Sequence, residues 1–296
     1  MRLKVASILA PWRQSQRMDQ GSEFESSWSS STGRDAAPRE VLLQSPETPW
    51  RRRIAETARA RRLPLAILPT SLDAIPGQTG LLRAGRCLPV GDEAFVASCI
   101  RVAGLAPPRW NCHPRELLAH MRQLPRLAKA ASAVAFRKPV FIKPARGHPF
   151  QGFVLPRDPR QLDAHAKTQL NALLALSPDE PVWVAEPVEI VSEWRYLVLR
   201  SEAIGAAPLP PARAGMRQVP ALEELSGIIA ALPSDAAFAA DLAVLADGET
   251  TLLCVRDPLT VEGPADGRDG MAPLTYVDFL WTRWSQVAAR RGRTLP

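Results

Sequence analysis

The stretch AFAADLAVLADGETTLLCVRD, residues 237–257, constrains the fold more than any other. Two apolar runs flank Asp247-Gly248, a dipeptide that closes tight β-hairpins because both residues accept left-handed backbone. A two-residue turn at that point pairs Asp241 with Cys254 and Ala239 with Arg256. Side chains alternate along a strand, so Asp241, Cys254 and Arg256 share one sheet face. An aspartate among apolar neighbours costs free energy unless it is paired or binds a cation. Either an Asp241–Arg256 ion pair or a cation or phosphate site on this face satisfies that requirement.

The chain has 296 residues, 46% of them hydrophobic, which is enough for two domains or for one large domain with a tail. It holds no run of 18 apolar residues, so no membrane span is expected. The opening MRLKVASILAPW has a basic start, but its apolar part is short and lacks a small-residue cleavage site; a cytoplasmic protein is expected. The net charge of +7 lies at the ends. Residues 1–62 carry 12 Lys/Arg against 7 Asp/Glu, and residues 283–296 carry four arginines and no acid. The centre, 63–282, holds 21 basic and 23 acidic groups, so its charge does not favour nucleic acid as a partner. Cys87, Cys99, Cys112 and Cys254 form no C-x-x-C pair, and reduced, mostly buried thiols are expected.

Residues 13–49 are polar and serine-rich without periodicity, and a disordered or loosely attached segment, 1–50, is expected. PWRRRIAETARARR reads as a helix with Pro49 near its start, and LPLAILP as a strand. A helix runs from Asp92, its N-cap, to about Val102, and another is expected within NCHPRELLAHMRQLP. Further strands fall at 140–143, 151–155, 182–186, 193–200, 237–245 and 250–256, with helices at 159–176, 219–232 and 276–290. Lone helices between mostly antiparallel strands give an α+β architecture.

Two further stretches carry charge where strands are expected. In RKPVFIKPARGHPFQGFVL, Lys143 ends an apolar strand before a loop that contains Gly147 and His148. A strand-end lysine can simply snorkel to water. In VWVAEPVEIVSEWRYLV, Glu186, Glu189 and Glu193 cluster near a chain crossover, and Arg195 leads an apolar strand. Charges at strand ends are commonly solvated, yet this placement also suits a binding crevice. The four histidines supply no metal-ligand spacing, and no phosphate-binding glycine motif of the P-loop or dinucleotide type occurs.

The order of these parts resembles the ATP-grasp superfamily, and within it the clade named for two arginines and one lysine. The resemblance runs from about Leu88 to Val287 and is carried by LPVGDEAFVASCIRVAGLAPP, FIKPARGHPFQGFVL, VAEPVEIVSEWRYLV and YVDFLWTRWSQ. It implies an ATP-grasp fold whose nucleotide cleft lies between two mostly antiparallel sheets, with a reduced pre-grasp segment. The implied division is a pre-grasp segment at 51–135, an ATP-grasp domain at 136–290 and a basic tail at 291–296. It implies ATP and magnesium as cofactors. Lys143 and His148 would contact phosphate, Glu186 and the backbone through Val188 would hold adenine, and Glu189 would reach ribose. Arg195 would face the phosphates, and Asp241 would bind magnesium. The implied activity is ligation of a small-molecule or peptide carboxylate to an amine, or in related enzymes a thiol, through an acyl phosphate.

The chain departs from the family at LLCVRD. Where a Glu-x-Asn pair would complete the magnesium site, it has Cys254 and Arg256. Thiols are poor magnesium ligands, and an arginine brings charge of the wrong sign. Either Arg256 replaces one metal's charge in catalysis, leaving Asp241 and Asp257 for a single ion, or the fold is degenerate and binds nucleotide or a partner without turnover. The loops PLPPARAGMRQ and TVEGPADGRDGMAP, with Arg213, Arg217 and Arg268, are candidate lids over a substrate.

Overall fold

The computed structural model describes residues 40–45, 48–69, 72–105, 112–145, 149–209, 218–261 and 273–289. The first layer alternates β1 (Glu40–Gln44), α1 (Pro49–Ala60), β2 (Leu65–Leu68), α2 (Thr79–Arg83), β3 (Cys87–Val90) and α3 (Glu93–Val102). Its strands pair in parallel in the order β2-β1-β3. The second contains β4 (Arg126–Lys129), α4 (Ala130–Ala133), β5 (Val140–Pro144), β6 (Phe153–Leu155), α5 (Ala164–Leu174) and β7 (Pro181–Ala185), an antiparallel sheet ordered β4-β7-β5-β6. The third contains β8 (Ile190–Leu199), β9 (Glu202–Pro208), α6 (Leu222–Ala230), β10 (Ala237–Leu245) and β11 (Thr250–Arg256), antiparallel in the order β11-β10-β8-β9, and is followed by α7 (Pro273–Ala289). Among the described residues no helix is long and apolar enough to cross a membrane.

Local chemistry explains the helix starts. The Thr48 side chain accepts from the Arg51 amide ahead of Pro49, and Asp92 accepts from Phe95 N at 2.8 Å, as its expected capping role requires. Asp163 caps α5, so that helix starts at Ala164 rather than 159. Gln44 and Asp92 exchange two hydrogen bonds, 2.7 and 2.8 Å, and so tie the ends of β1 and β3 together. A Cβ on Gly91 would stand 2.6 Å from Gln44 Oε1 and 2.5 Å from the Phe95 ring, so this junction accepts glycine alone.

Three expectations are corrected. Residues 40–44, placed in the irregular N-terminal segment, are the central strand of the parallel sheet, with Val41, Leu42 and Leu43 fully buried. A strand buried on both faces shows no alternation, so this short apolar run lacked a signature. Arg115–His120 winds as a short 3-10 helix in place of the expected α-helix. Strand β9 was not anticipated, because its turn, Arg200-Ser201, takes left-handed angles (φ 51° and 63°) without glycine or asparagine.

Three cores result. The first packs the parallel sheet and its helices against α7 and against Leu197, Leu199, Ala237 and Ala239 of the third sheet. The second lies on that sheet's other face, where Val198, Phe238 and Leu242 meet Leu225 and Ile228 of α6. The third buries Val140, Ile142, Val182 and Val184 beneath α5. Burial pushes the Cys87 and Cys99 thiols up to about 12, so both remain neutral packing groups. His120 contacts α6, bonding Glu224 at 2.9 Å and lying against Gly227.

Helix α7 is anchored by a buried ion pair. Arg283, 1% exposed, reaches Asp257 through Nε (3.1 and 3.0 Å) and Nη2 (2.7 Å). Asp257 also accepts from Leu259 N at 3.0 Å, which holds the turn after β11. Removing one partner of a buried pair leaves an uncompensated charge. Asp257→Asn is therefore expected to lower the unfolding free energy by about 3–5 kcal/mol, read as a fall in denaturant midpoint. Asp257→Leu combined with Arg283→Met should cost less, since no charge is then stranded.

Candidate functional site

Two sheet faces are left open by these cores. On the second sheet, Val140, Ile142, Val182 and Val184 point into the core, so Phe141, Lys143, Trp183 and Ala185 point the other way and stay part-exposed. Lys143 lies directly opposite Trp183 across the strand pair. Gly152 lets this surface close up, since a Cβ there would stand 2.6 Å from the Phe141 ring. On the third sheet, Glu193 and Arg195 of β8, Asp241 of β10 and Cys254 and Arg256 of β11 share one face. Cys112-His113 bridges the two sheets. The Cys112 carbonyl accepts from Val255 N at 2.9 Å, and the His113 ring meets Trp183 edge-on with centroids 4.5 Å apart.

The Asp241 pairing follows the expected register for an unexpected reason. The hairpin turn contains three residues, 246–248, with Gly248 at φ 84° and Leu245 N bonded to Glu249 O at 2.8 Å. That shifts the register by one residue, so Leu242 faces Leu252. A bulge between Leu252 and Cys254 shifts it back, and Asp241 faces Cys254.

Asp241, 2% exposed, is held by two arginines. Arg195 binds it bidentately, Nε to Oδ1 at 2.7 Å and Nη2 to Oδ2 at 2.9 Å. Arg256 Nε donates to Oδ2 at 2.5 Å, and Cys254 Sγ lies 3.5 Å from the same oxygen. Burial acts to raise the carboxyl's pKa, but the Arg195 hydrogen bonds and the two guanidinium charges outweigh it and hold it below the usual 3.8. Burial pushes the Cys254 thiol up to about 11, so it adds no charge at neutral pH. Burial, and then the charge of Asp241, raise Glu193 above the ordinary glutamate value.

Lys143 Nζ donates to His113 Nε2 at 3.2 Å. Burial first, then the Lys143 charge, keep His113 well below its usual 6.5, so the ring is neutral and acts as acceptor. The ammonium therefore gains a hydrogen bond without gaining a counter-charge. Among the described residues no carboxylate forms a salt bridge with Lys143. Lys143 is also tied to the third sheet through this histidine, because His113 follows Cys112, whose carbonyl is bonded by Val255 of β11.

The other expected site residues lie as follows. Glu186, Val188 and Glu189 fall in the segment linking β7 to β8, hence linking the two sheets, with both glutamates exposed. Glu189 O accepts from Ala246 N at 3.0 Å. Asp257 turns to Arg283 and the α7 core, on the opposite side of β11 from Arg256. His148, Arg213, Arg217 and Arg268 lie outside the described residues. His113 and Trp183 were not singled out from the sequence. Trp183 had a signal, a large aromatic alternating with Val182 and Val184, whereas His113 sits in an irregular segment and had none.

The donors do not fit magnesium. Both Asp241 oxygens accept guanidinium hydrogen bonds, and an ion set against them would meet Arg195 and Arg256. Asp257 is committed to Arg283. Among the described residues no three His, Cys, Asp or Glu side chains gather as a metal-ligand set. Magnesium prefers several oxygen donors with room for water.

Residues 91–261 match the family model of the ATP-grasp domain, R2K clade family 3. No curated protein matches the sequence. Among solved structures, D-cycloserine synthetase DcsG is similar at a TM-score of 0.50 and 16% identity, covering 83% of this chain and 99% of that one. The ATP-grasp ligase PsnB complexed with minimal precursor gives 0.48 and 16%, covering 83% and 99%. D-alanine–D-alanine ligase from Bacillus anthracis gives 0.48 and 10%, covering 87% and 100%.

Asp241→Asn is expected to cost about 1–3 kcal/mol of stability at neutral pH, less than breaking the fully buried Asp257–Arg283 pair because Arg256 can hydrate. A carboxyl held below its unfolded value stabilises the fold above that value and loses the effect as pH falls through the folded one. The stability gap between wild type and variant should therefore be full at neutral pH and close as the pH drops below 3.8. Denaturant unfolding at several pH values measures it.

Proposed function

Because the chain belongs to the R2K clade of ATP-grasp domains, we propose that it binds ATP between its second and third sheets and uses it to join a carboxylate to an amine. One observation carries this reading. Arg195 and Arg256 share one carboxylate, Asp241, and Lys143 is bonded to His113, whose neighbour Cys112 is bonded to β11; three cations set against Asp241 and Glu193 leave positive charge in excess. A cleft with that surplus and an apolar wall suits a nucleoside polyphosphate.

Adenine packs on the Phe141 and Trp183 face, its edge bonded by the backbone from Glu186 through Val188, with Glu189 at the ribose. Lys143, Arg195 and Arg256 hold the phosphates. The acceptor's carboxylate oxygen attacks the γ-phosphorus, the bond to the β–γ bridging oxygen breaks, and ADP leaves. The amine nitrogen then attacks the acyl carbon. The carbon–oxygen bond to phosphate breaks, inorganic phosphate departs with the electron pair, and the amine proton passes to Glu193, whose raised pKa suits it to receive one. The chain's contribution is position and charge, which supply most of the rate in phosphoryl transfer.

A second reading, a nucleotide- or partner-binding module without turnover, draws on Cys254 and Arg256 at the positions where magnesium ligands are expected. Saturating ATP at a hundred times its Kd should stabilise the protein by about 2.7 kcal/mol, a rise of several degrees in Tm. Lys143→Ala should weaken ATP binding by about tenfold or more. ADP release that requires both a carboxylate and an amine supports ligation. Stabilisation by ATP with no ADP release from any pair supports the second reading, and the absence of stabilisation rejects both.

A further inference from the structure

Arg256 stands on β11 where an asparagine would face a bound metal, and its surroundings show what a guanidinium can do there. Among the described residues only its Nε is engaged, by Asp241. Its two terminal amino groups make no hydrogen bond with the described residues. The side chain is 39% exposed, against 3% for the aspartate beneath it, so the guanidinium forms the outer layer of the cluster. Asp241 thus holds the fork by Nε and leaves its two amino groups on the more exposed side of the cluster. Arg195, 19% exposed, is fixed on the same carboxylate from the next strand over.

The inner layer is closed to a cation. Asp241 spends its charge on two arginines, Cys254 is a neutral thiol beside it, and Asp257 faces α7. A divalent ion entering here would be repelled by both guanidiniums and by Lys143, and with Asp241 spent on the arginines only Glu193 on this face is left to offset that repulsion. A planar guanidinium presents paired N–H donors that match phosphate oxygens, so it can hold the charge and the geometry that an ion would otherwise hold.

We propose that Arg256, pinned by Asp241, takes the place of a divalent cation at the phosphates, so that this site binds ATP without magnesium. The inference rests on the ATP reading given above. Metal-free ATP is the more highly charged form, and three protein cations attract it more strongly than its magnesium complex. ATP affinity should therefore be equal or higher when magnesium is removed, the opposite of a site that binds the metal complex.

Calorimetric titration of the full chain with ATP, once in excess EDTA and once in excess magnesium, tests this without any variant that must fold. The expected result is an EDTA affinity at least equal to that in magnesium. Binding about tenfold or more tighter in magnesium overturns the inference while leaving the ATP reading intact. No binding in either buffer overturns both. Arg256→Gln, which leaves the bidentate Arg195–Asp241 pair in place, should weaken ATP binding in EDTA by about tenfold or more. Unchanged affinity in that variant also overturns the role given to Arg256.

Discussion

A single buried carboxylate organises the cleft. Asp241 sits at the middle of the third sheet, on the strand between β8 and β11, and receives a guanidinium from each neighbour. Without it, two arginines on the strands either side of β10 would stand as unrelieved like charges on a surface only partly in water. With it, both are fixed by their inner nitrogens and share one orientation. The cost of burying the aspartate is offset by those hydrogen bonds, and the gain is a rigid pair of cations that need not be ordered when an anion arrives. Lys143 is prepared differently. A neutral imidazole positions its ammonium while leaving its charge unspent.

Much of this was legible in the sequence where local rules govern. Asp92 and Pro49 mark helix starts by chemistry that acts within three residues. The alternation in β5 and β7 separates core from cleft. The hairpin placed Asp241 beside Cys254 and Arg256, but through two offsetting departures: one extra turn residue, and one bulge residue that restores the phase. Neither is written in propensity, since the bulge answers to how β11 packs against its neighbours.

What stayed hidden depends on distant parts of the chain. Strand β1 has an apolar run of only three residues, Val41 to Leu43, and its identity comes from being flanked by two other strands. The second arginine on Asp241 comes from a strand separated by 46 positions, a pairing no local pattern encodes. His113 reaches the site because its backbone neighbour extends the edge of β11. The metal expectation came with the family resemblance and fell on two aspartates. Their partners, Arg195 and Arg283, decide what those carboxylates are free to do.

Arg256 and Asp257 are consecutive residues with opposite duties. One guanidinium looks into the cleft, and the next side chain is locked to α7 through Arg283. The closing helix and the cleft are thus linked mechanically in series through one peptide unit. Any displacement of α7 that carries Arg283 with it must either rupture a sealed ion pair or drag the end of β11, and with it the aim of Arg256.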